Sequence, residues 1–347
     1  RKRAEDADLR KHPGPADWDQ YGGWKGGPRR KATGHFRVEK LDGRWWLVDP
    51  EGNLFWSHGV TGVNRTTTTR VNGRVRCFAE LPKAVGKWGS WDALAANLAI
   101  KHGSTWRDVT ADRAHTRLRS WGLNTIANWS DEEICLNRKA RTPYVVNVRY
   151  KRPVKGDLPD ASHPQFRAGL RKGLEAVAAK TADDPWCIGY FIDNELRWKN
   201  DADIAEVYFR TCREEMRRAA PKKLYLGCRF HRDPMAPVRA AAKYCDVVSF
   251  NRYRFTAADL RLPDGCDKPI VIGEFHFGAL DRGMLHTGLR SVGSQAQRGE
   301  VYRLYLRTAL ANPAIVGTHW FQYGDQAVTG RGDGENYQIG FVDICDT

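Results

Sequence analysis

Two glutamates in this 347-residue sequence stand where an apolar run gives way to polar residues. Glu195 closes Phe191-Ile192-Asp193-Asn194-Glu195, and Glu274 lies in Ile272-Gly273-Glu274-Phe275-His276. Paired carboxylates are the apparatus of glycoside hydrolysis: one attacks the anomeric carbon or activates water, and the other protonates the leaving oxygen. A spacing of about 5–5.5 Å gives the covalent, retaining route, and about 6.5–9.5 Å leaves room for water and inverts. One such Glu alone reads as a solvated loop residue; two on opposed strands, with Asn194 beside one, point to chemistry. The other apolar runs also end in groups that bind ligands: His58, Asn128 and Trp129, Arg229, Asn251 and Tyr253, His276, and Trp320 and Gln322. These are the candidate substrate contacts. Rival chemistries lack their residues. There is no His-x-His on an early strand for a metal hydrolase, no Lys within a strand for a Schiff base, and no G-x-S-x-G elbow.

Eight short apolar runs must carry these residues: Phe55–Val60, Thr125–Asn128, Tyr144–Val148, Cys187–Asn194, Leu224–Cys228, Val247–Asn251, Ile270–Gly273 and Ile315–Phe321. Helical patterns separate them, for example Phe166, Leu170 and Leu174 at four-residue spacing. Eight alternating units predict an α/β protein, a (β/α)8 TIM barrel, in which reacting groups gather at the C-terminal ends of the strands. Strands four and seven then face each other across the barrel mouth, so Glu195 and Glu274 can converge. A doubly wound sheet is the alternative, but both Gly-rich phosphate-loop patterns are absent. Residues 34–347 form this catalytic domain. It opens with an N-terminal β-hairpin around Asp42-Gly43, and no helix pattern follows the eighth strand. Residues 1–33, rich in Gly, Pro, Lys and Arg, read as an irregular basic lead-in. The connection from Thr61 to Thr105, with Thr66 to Thr69, is long enough to be a lid or binding loop.

The net charge is +15, from 56 Lys and Arg against 41 Asp and Glu. It is spread along the chain, whereas nucleic-acid binders cluster theirs. The expected partner is a polysaccharide or oligosaccharide, with no nucleic acid and no membrane; a solvated basic surface competes with an anionic polymer as the reading of the charge. Thirteen Trp, as many as Phe, suit stacking on sugars. Eight Cys form no C-x-x-C pair, and Cys187 and Cys228 fall in apolar strand-like runs, where buried thiols are expected. Cys228 and His231 lack the second pair a metal site needs, and no metal or cofactor is expected.

Asn194-Glu195 after strand four, Glu274 after strand seven, and Tyr253 and Trp320 after strands six and eight resemble clan A of the glycoside hydrolases, retaining enzymes on this barrel. The clan often has an Arg after strand two, where this chain has Asn128-Trp129; Arg149 or Arg229 is the expected substitute. Within the clan the chain resembles glycoside hydrolase family 50, the β-agarases. The stretches that carry the likeness are Arg44-Trp45-Trp46-Leu47-Val48-Asp49-Pro50-Glu51-Gly52, Phe191 to Glu195, Gly273-Glu274-Phe275-His276-Phe277-Gly278-Ala279-Leu280-Asp281-Arg282-Gly283-Met284, and Gly330 to Gln338, which includes Glu335. The resemblance implies that Glu274 is the nucleophile and Glu195 the acid/base. Asn194 would bond the sugar 2-hydroxyl, Tyr253 would bond Glu274, and Trp320 would floor the reacting subsite. Trp129 and Trp198 would line neighbouring subsites, with core packing as the competing reading.

The implied activity is retaining cleavage of β-1,4-galactosidic bonds in agarose-type galactans. An exo mode releasing neoagarobiose is expected, with the long loop and the Asp281-Arg282 turn walling the cleft. A β-galactosidase, a hydrolase of a sulfated, porphyran-like galactan, and a non-catalytic carbohydrate-binding barrel are the alternatives. A secreted or periplasmic location is expected, although no signal-peptide core is visible near Arg1.

Overall fold

The β-branched and aromatic runs pair side by side as parallel strands, as runs buried on both faces do. The structure, a computed structural model, describes residues 2–64, 68–81, 89–136 and 138–347. The barrel strands are Ser57–Val60, Thr125–Ile126, Tyr144–Val148, Cys187–Ile192, Leu224–Tyr225, Val248–Asn251, Ile270–Phe275 and Ile315–Trp320. They form one sheet in the order five, four, three, two, one, eight, seven, six. Strand one pairs in parallel with strand eight, Ser57 opposite Gly317 and Val60 opposite Trp320. Beyond strand five, Phe230 bridges Phe250 of strand six and closes the ring. The Phe230 amide donates to Ser249 and the Asn251 amide to Phe230, each at 2.8 Å. This is the expected (β/α)8 arrangement.

Two apolar cores fill it. One lies between the sheet and the helices, where Phe166, Leu170 and Leu174 of the helix Pro164–Thr181 are fully buried. The other fills the barrel axis near the strand starts. There Val145, Ile188, Leu224, Val271 and Val316 pack with Tyr21, Phe36, Leu47 and Phe55. The hairpin Arg37–Leu41 with Arg44–Val48 therefore plugs the N-terminal end of the barrel, and the opposite end is left for the site.

Some expectations need correction. Leu54–Phe55 belongs to the hairpin sheet, so the first barrel strand is shorter than Phe55–Val60. Residues 1–33 are not irregular throughout, since Lys2–Lys11 is an α-helix. Its one buried residue is Leu9; ion pairs dock it instead. Arg117 bonds Glu5 at 2.6 Å and Asp346 at 2.5 Å, and Arg113 bonds Asp6 at 2.7 Å. Thr66 and Thr67 lie outside the described residues. Nearby, Thr69–Arg70 pairs with Ser90–Trp91, and the Arg70 amide donates to Thr329 at 2.9 Å. No helix follows Trp320 among the described residues. All eight Cys are free. No helix of the described residues is long and apolar enough to cross a membrane.

Candidate active site

Glu274 is the fifth residue of strand seven, Asn251 ends strand six, and Arg229 and Glu195 follow strands five and four. Strand geometry points alternate side chains inward, which puts these groups in one mouth. The backbone bends sharply to do so. Trp129, Asp193, Glu195 and Arg229 all sit at left-handed φ, between 49° and 66°, a region that costs a non-glycine residue about 1 kcal/mol or more. The Glu195 amide donates to the carbonyl of Cys228 at 3.1 Å, which fixes the turn.

Four donors meet the Glu274 carboxylate. Trp129 Nε1 at 2.7 Å and Arg229 Nη1 at 3.2 Å reach Oε1; the Tyr253 hydroxyl at 2.8 Å and Asn251 Nδ2 at 3.1 Å reach Oε2. Such charge-assisted bonds suit an anionic nucleophile. The same Asn251 nitrogen donates to Glu195 Oε1 at 2.7 Å and to Asn194 Oδ1 at 3.2 Å. Two oxygens held at 2.7 and 3.1 Å from one atom can be no farther apart than the sum, about 5.8 Å. Burial pushes the Glu195 carboxyl above the usual carboxylate range, and the negative charge of Glu274 adds to this. One carboxyl is thus biased to keep a proton beside another surrounded by donors, the environment that separates acid from nucleophile.

Arg229 is fully buried. Its guanidinium lies 4.5 Å from the Trp129 ring and 5.2 Å from Phe191. Asn128, with its amide oxygen turned to the guanidinium, accepts from Nη1 and Nη2 at 3.1 and 3.0 Å. Arg229 therefore fills the role expected of an Arg after strand two. Arg149 lines a separate cavity between strand three and a helix, although Trp129 borders that space too.

Above the carboxylates is a cleft of about 730 Å³. Trp129, Asn194, Glu195, Tyr253, Glu274, His276 and Glu335 line it, so the structure brings these expected residues together. His276 accepts the Leu289 amide at Nε2, 2.8 Å away, and burial pulls its pKa down to about 3, so the ring is neutral. Glu335 pairs with Arg331 at 2.7 Å and accepts from Gln326 at 2.8 Å. Arg331 lies 5.7 Å from the ring of Phe321.

Other expected contacts lie elsewhere. Trp320 is fully buried behind the sheet, stacked on Phe341 at 5.3 Å, with its indole N–H given to the Ile339 carbonyl at 2.9 Å. Its neighbour Phe321 points into the cleft instead. His58 faces the helices, bonding the Gly122 carbonyl at 2.8 Å and the Tyr302 hydroxyl at 2.5 Å. It is Ser57, one residue earlier, that faces the barrel axis, bonding His319 and Thr125. Trp198 stacks on Phe209 at 5.6 Å beside the cleft. Gln322 donates to the Gly324 carbonyl and does not line the cleft. Asn128 reaches the site only through Arg229. The Asp281-Arg282 turn is exposed and outside the cleft, whose wall is Leu289 with Arg331, Gly332 and Asp333. Phe321, Leu289, His231, Arg331 and Asp333 were not singled out as contacts; the Gly330–Gln338 stretch was the available signal for the last two. Among the described residues no group of three or more His, Cys, Asp or Glu is placed to hold a metal ion.

No family model matches the chain. It is 31% identical to β-agarase B of Vibrio sp. (strain JT0107) over 468 aligned residues, covering 94% of this chain and 48% of that protein. The chain spans about half the length of the curated relatives it matches. Its fold superposes on the crystal structure of an agarase, AgWH50C, with a TM-score of 0.89 and 33% identity, covering 99% of this chain and 65% of that one. A solved exo-β-agarase gives a TM-score of 0.88 at 27% identity, covering 99% and 67%. The carboxylate pair, the barrel that presents it and these likenesses agree: the chain belongs to glycoside hydrolase family 50.

Proposed function

We propose that this chain is a retaining glycoside hydrolase that cleaves β-1,4-galactosidic bonds of agarose-type galactans from a chain end, releasing neoagarobiose, in a secreted or periplasmic setting. The observation that carries the reading is the shared Asn251 amide. It holds one oxygen of each carboxylate within about 5.8 Å of the other, which favours the close carboxyl spacing of a retaining pair over the wider one of an inverting pair. A Glu274 oxygen forms the bond to the anomeric carbon as the bond to the leaving oxygen breaks, and that oxygen takes the Glu195 proton. Water then attacks the same carbon, Glu195 takes its proton, and Glu274 is released. That Asn194 borders the cleft beside the acid/base supports its bonding a sugar hydroxyl, and Phe321, which lines the cleft, is the aromatic face in place of Trp320. The agarose substrate and the exo mode rest on what the relatives are named for, β-agarases and an exo-β-agarase.

NMR of the first products from neoagaro-oligosaccharides is the test. The β anomer should appear before mutarotation, and α first would refute retention. Glu274→Ala should be inactive and, with azide, yield the α-glycosyl azide; Glu195→Ala should yield the β-azide. The reverse pattern would exchange the two roles. A rapid fall in agarose viscosity with long products would refute the exo mode.

A further inference from the structure

The cleft has a neighbour beyond Glu195. A cavity of about 510 Å³ lies between the loops that follow strands four and five, lined by Arg197, Trp198, Lys199, Phe230, His231 and Arg232. His231 is a wall of both spaces. Glu195 protonates the leaving oxygen in the mechanism above, and the loop that carries it continues into the wall of this cavity as Leu196, Arg197, Trp198 and Lys199.

The cations around this cavity are left open, unlike those of the cleft. In the cleft Arg229 is paired with Glu274, and Arg331 with Asp333 and Glu335. Here the ion pair of Arg197 is with Asp157 at 3.8 Å, between side chains 77% and 64% exposed, which water and salt largely screen. No carboxylate among the described residues pairs with Lys199 or Arg232. The adjacent Asp233 is engaged by Arg252 at 3.0 Å, and the Asn200 side chain accepts the Ala236 amide. His231 is held below its usual value by burial and then by the charges of Arg232 and Arg197, so both guanidiniums act on one spot. Trp198, stacked on Phe209 and in edge contact with Tyr208, supplies a fixed apolar floor.

A neutral galactan gains little from three solvated cations. An anionic substituent gains from each. We propose that this cavity is the leaving-group subsite and that it takes a galactose-type unit bearing a sulfate ester. The proposal rests on the glycosidase reading, and names the substrate class at one of its subsites.

The test uses matched galactan oligosaccharides, one neutral and one carrying a single sulfate ester on the unit that leaves. Calorimetric binding and kcat/KM are measured at low and high salt. The sulfated ligand should bind about three- to tenfold more tightly at low salt, as expected of a few exposed ion pairs. The preference should vanish near 1 M salt, where the screening length is about 3 Å. The exposed double variant Arg197→Glu/Lys199→Glu should lose the preference, read as the ratio of sulfated to neutral kcat/KM and affinity; Arg232→Gln should lose part of it. Equal binding of both ligands at low salt, or equal losses on both in the variants, would overturn the proposal. Binding is read without turnover, so a failure of both ligands to be cleaved would count against the glycosidase reading while the affinities still decide this one.

Discussion

Replacing Trp129 by Phe separates two roles for that indole. As a stacking platform, Trp129 would be served almost as well by Phe, which also has a flat aromatic face. As observed, its Nε1 is the nearest donor to Glu274 Oε1, at 2.7 Å, and the remaining donor on that oxygen, Arg229, is at 3.2 Å. A hydrogen bond to a charged group is worth about 1.5–3 kcal/mol. Trp129→Phe removes it, keeps a ring beside the Arg229 guanidinium, and leaves the carboxylate anchored mainly through Oε2. If that amount is lost from alignment of the attacking oxygen, kcat falls about 10- to 100-fold at about 1.4 kcal/mol per decade. KM should move by less than about threefold, because little ground-state binding is removed. Steady-state kinetics on neoagaro-oligosaccharides, with circular dichroism to check the fold, give both numbers. A kcat within about threefold of the parent, with KM raised, would refute the argument and return Trp129 to a stacking role.

Glu195 should also report on its surroundings through stability. Its raised carboxyl pKa means that the folded state holds a proton the unfolded chain surrenders, so this group costs stability as pH rises above the unfolded value. Glu195→Gln should therefore melt higher than the parent at pH 7 and equally near pH 3; calorimetry giving a lower Tm at pH 7 would contradict the burial argument. Trp320→Ala should cost about 3–5 kcal/mol of stability, the range for a buried aromatic, whereas Phe321→Ala should lower kcat/KM with a smaller change in Tm; denaturant unfolding beside kinetics would expose the opposite pattern.

The sequence made the eight strands and the two carboxylates legible because apolar runs and their polar ends follow from burial alone. It was weaker wherever one residue of register decides the face. Trp320 and Phe321 are both aromatic, so composition could not say which turned inward, and the same ambiguity misplaced His58 beside Ser57. Arg229 emerged as a candidate, yet its contact depends on strand five delivering a cation to a carboxylate 45 residues away, which no local pattern encodes. The helix Lys2–Lys11 was missed for a related reason: Glu5 and Asp6 dock it to Arg113 and Arg117, more than a hundred residues on, so it lacks the apolar stripe by which surface helices are read.

The left-handed backbone at Trp129, Asp193, Glu195 and Arg229 sets two kinds of selection against each other. A glycine relaxes such a position, at some cost in unfolded-chain entropy, and an asparagine tolerates it. A screen for heat resistance alone would therefore find some of its gains at residues that hold or touch the carboxylate pair. A screen for turnover would reject the same changes. A laboratory lineage optimised first for melting temperature would be expected to drift toward a sturdier barrel with an idle mouth, and the order in which the two pressures are applied would decide which protein survives.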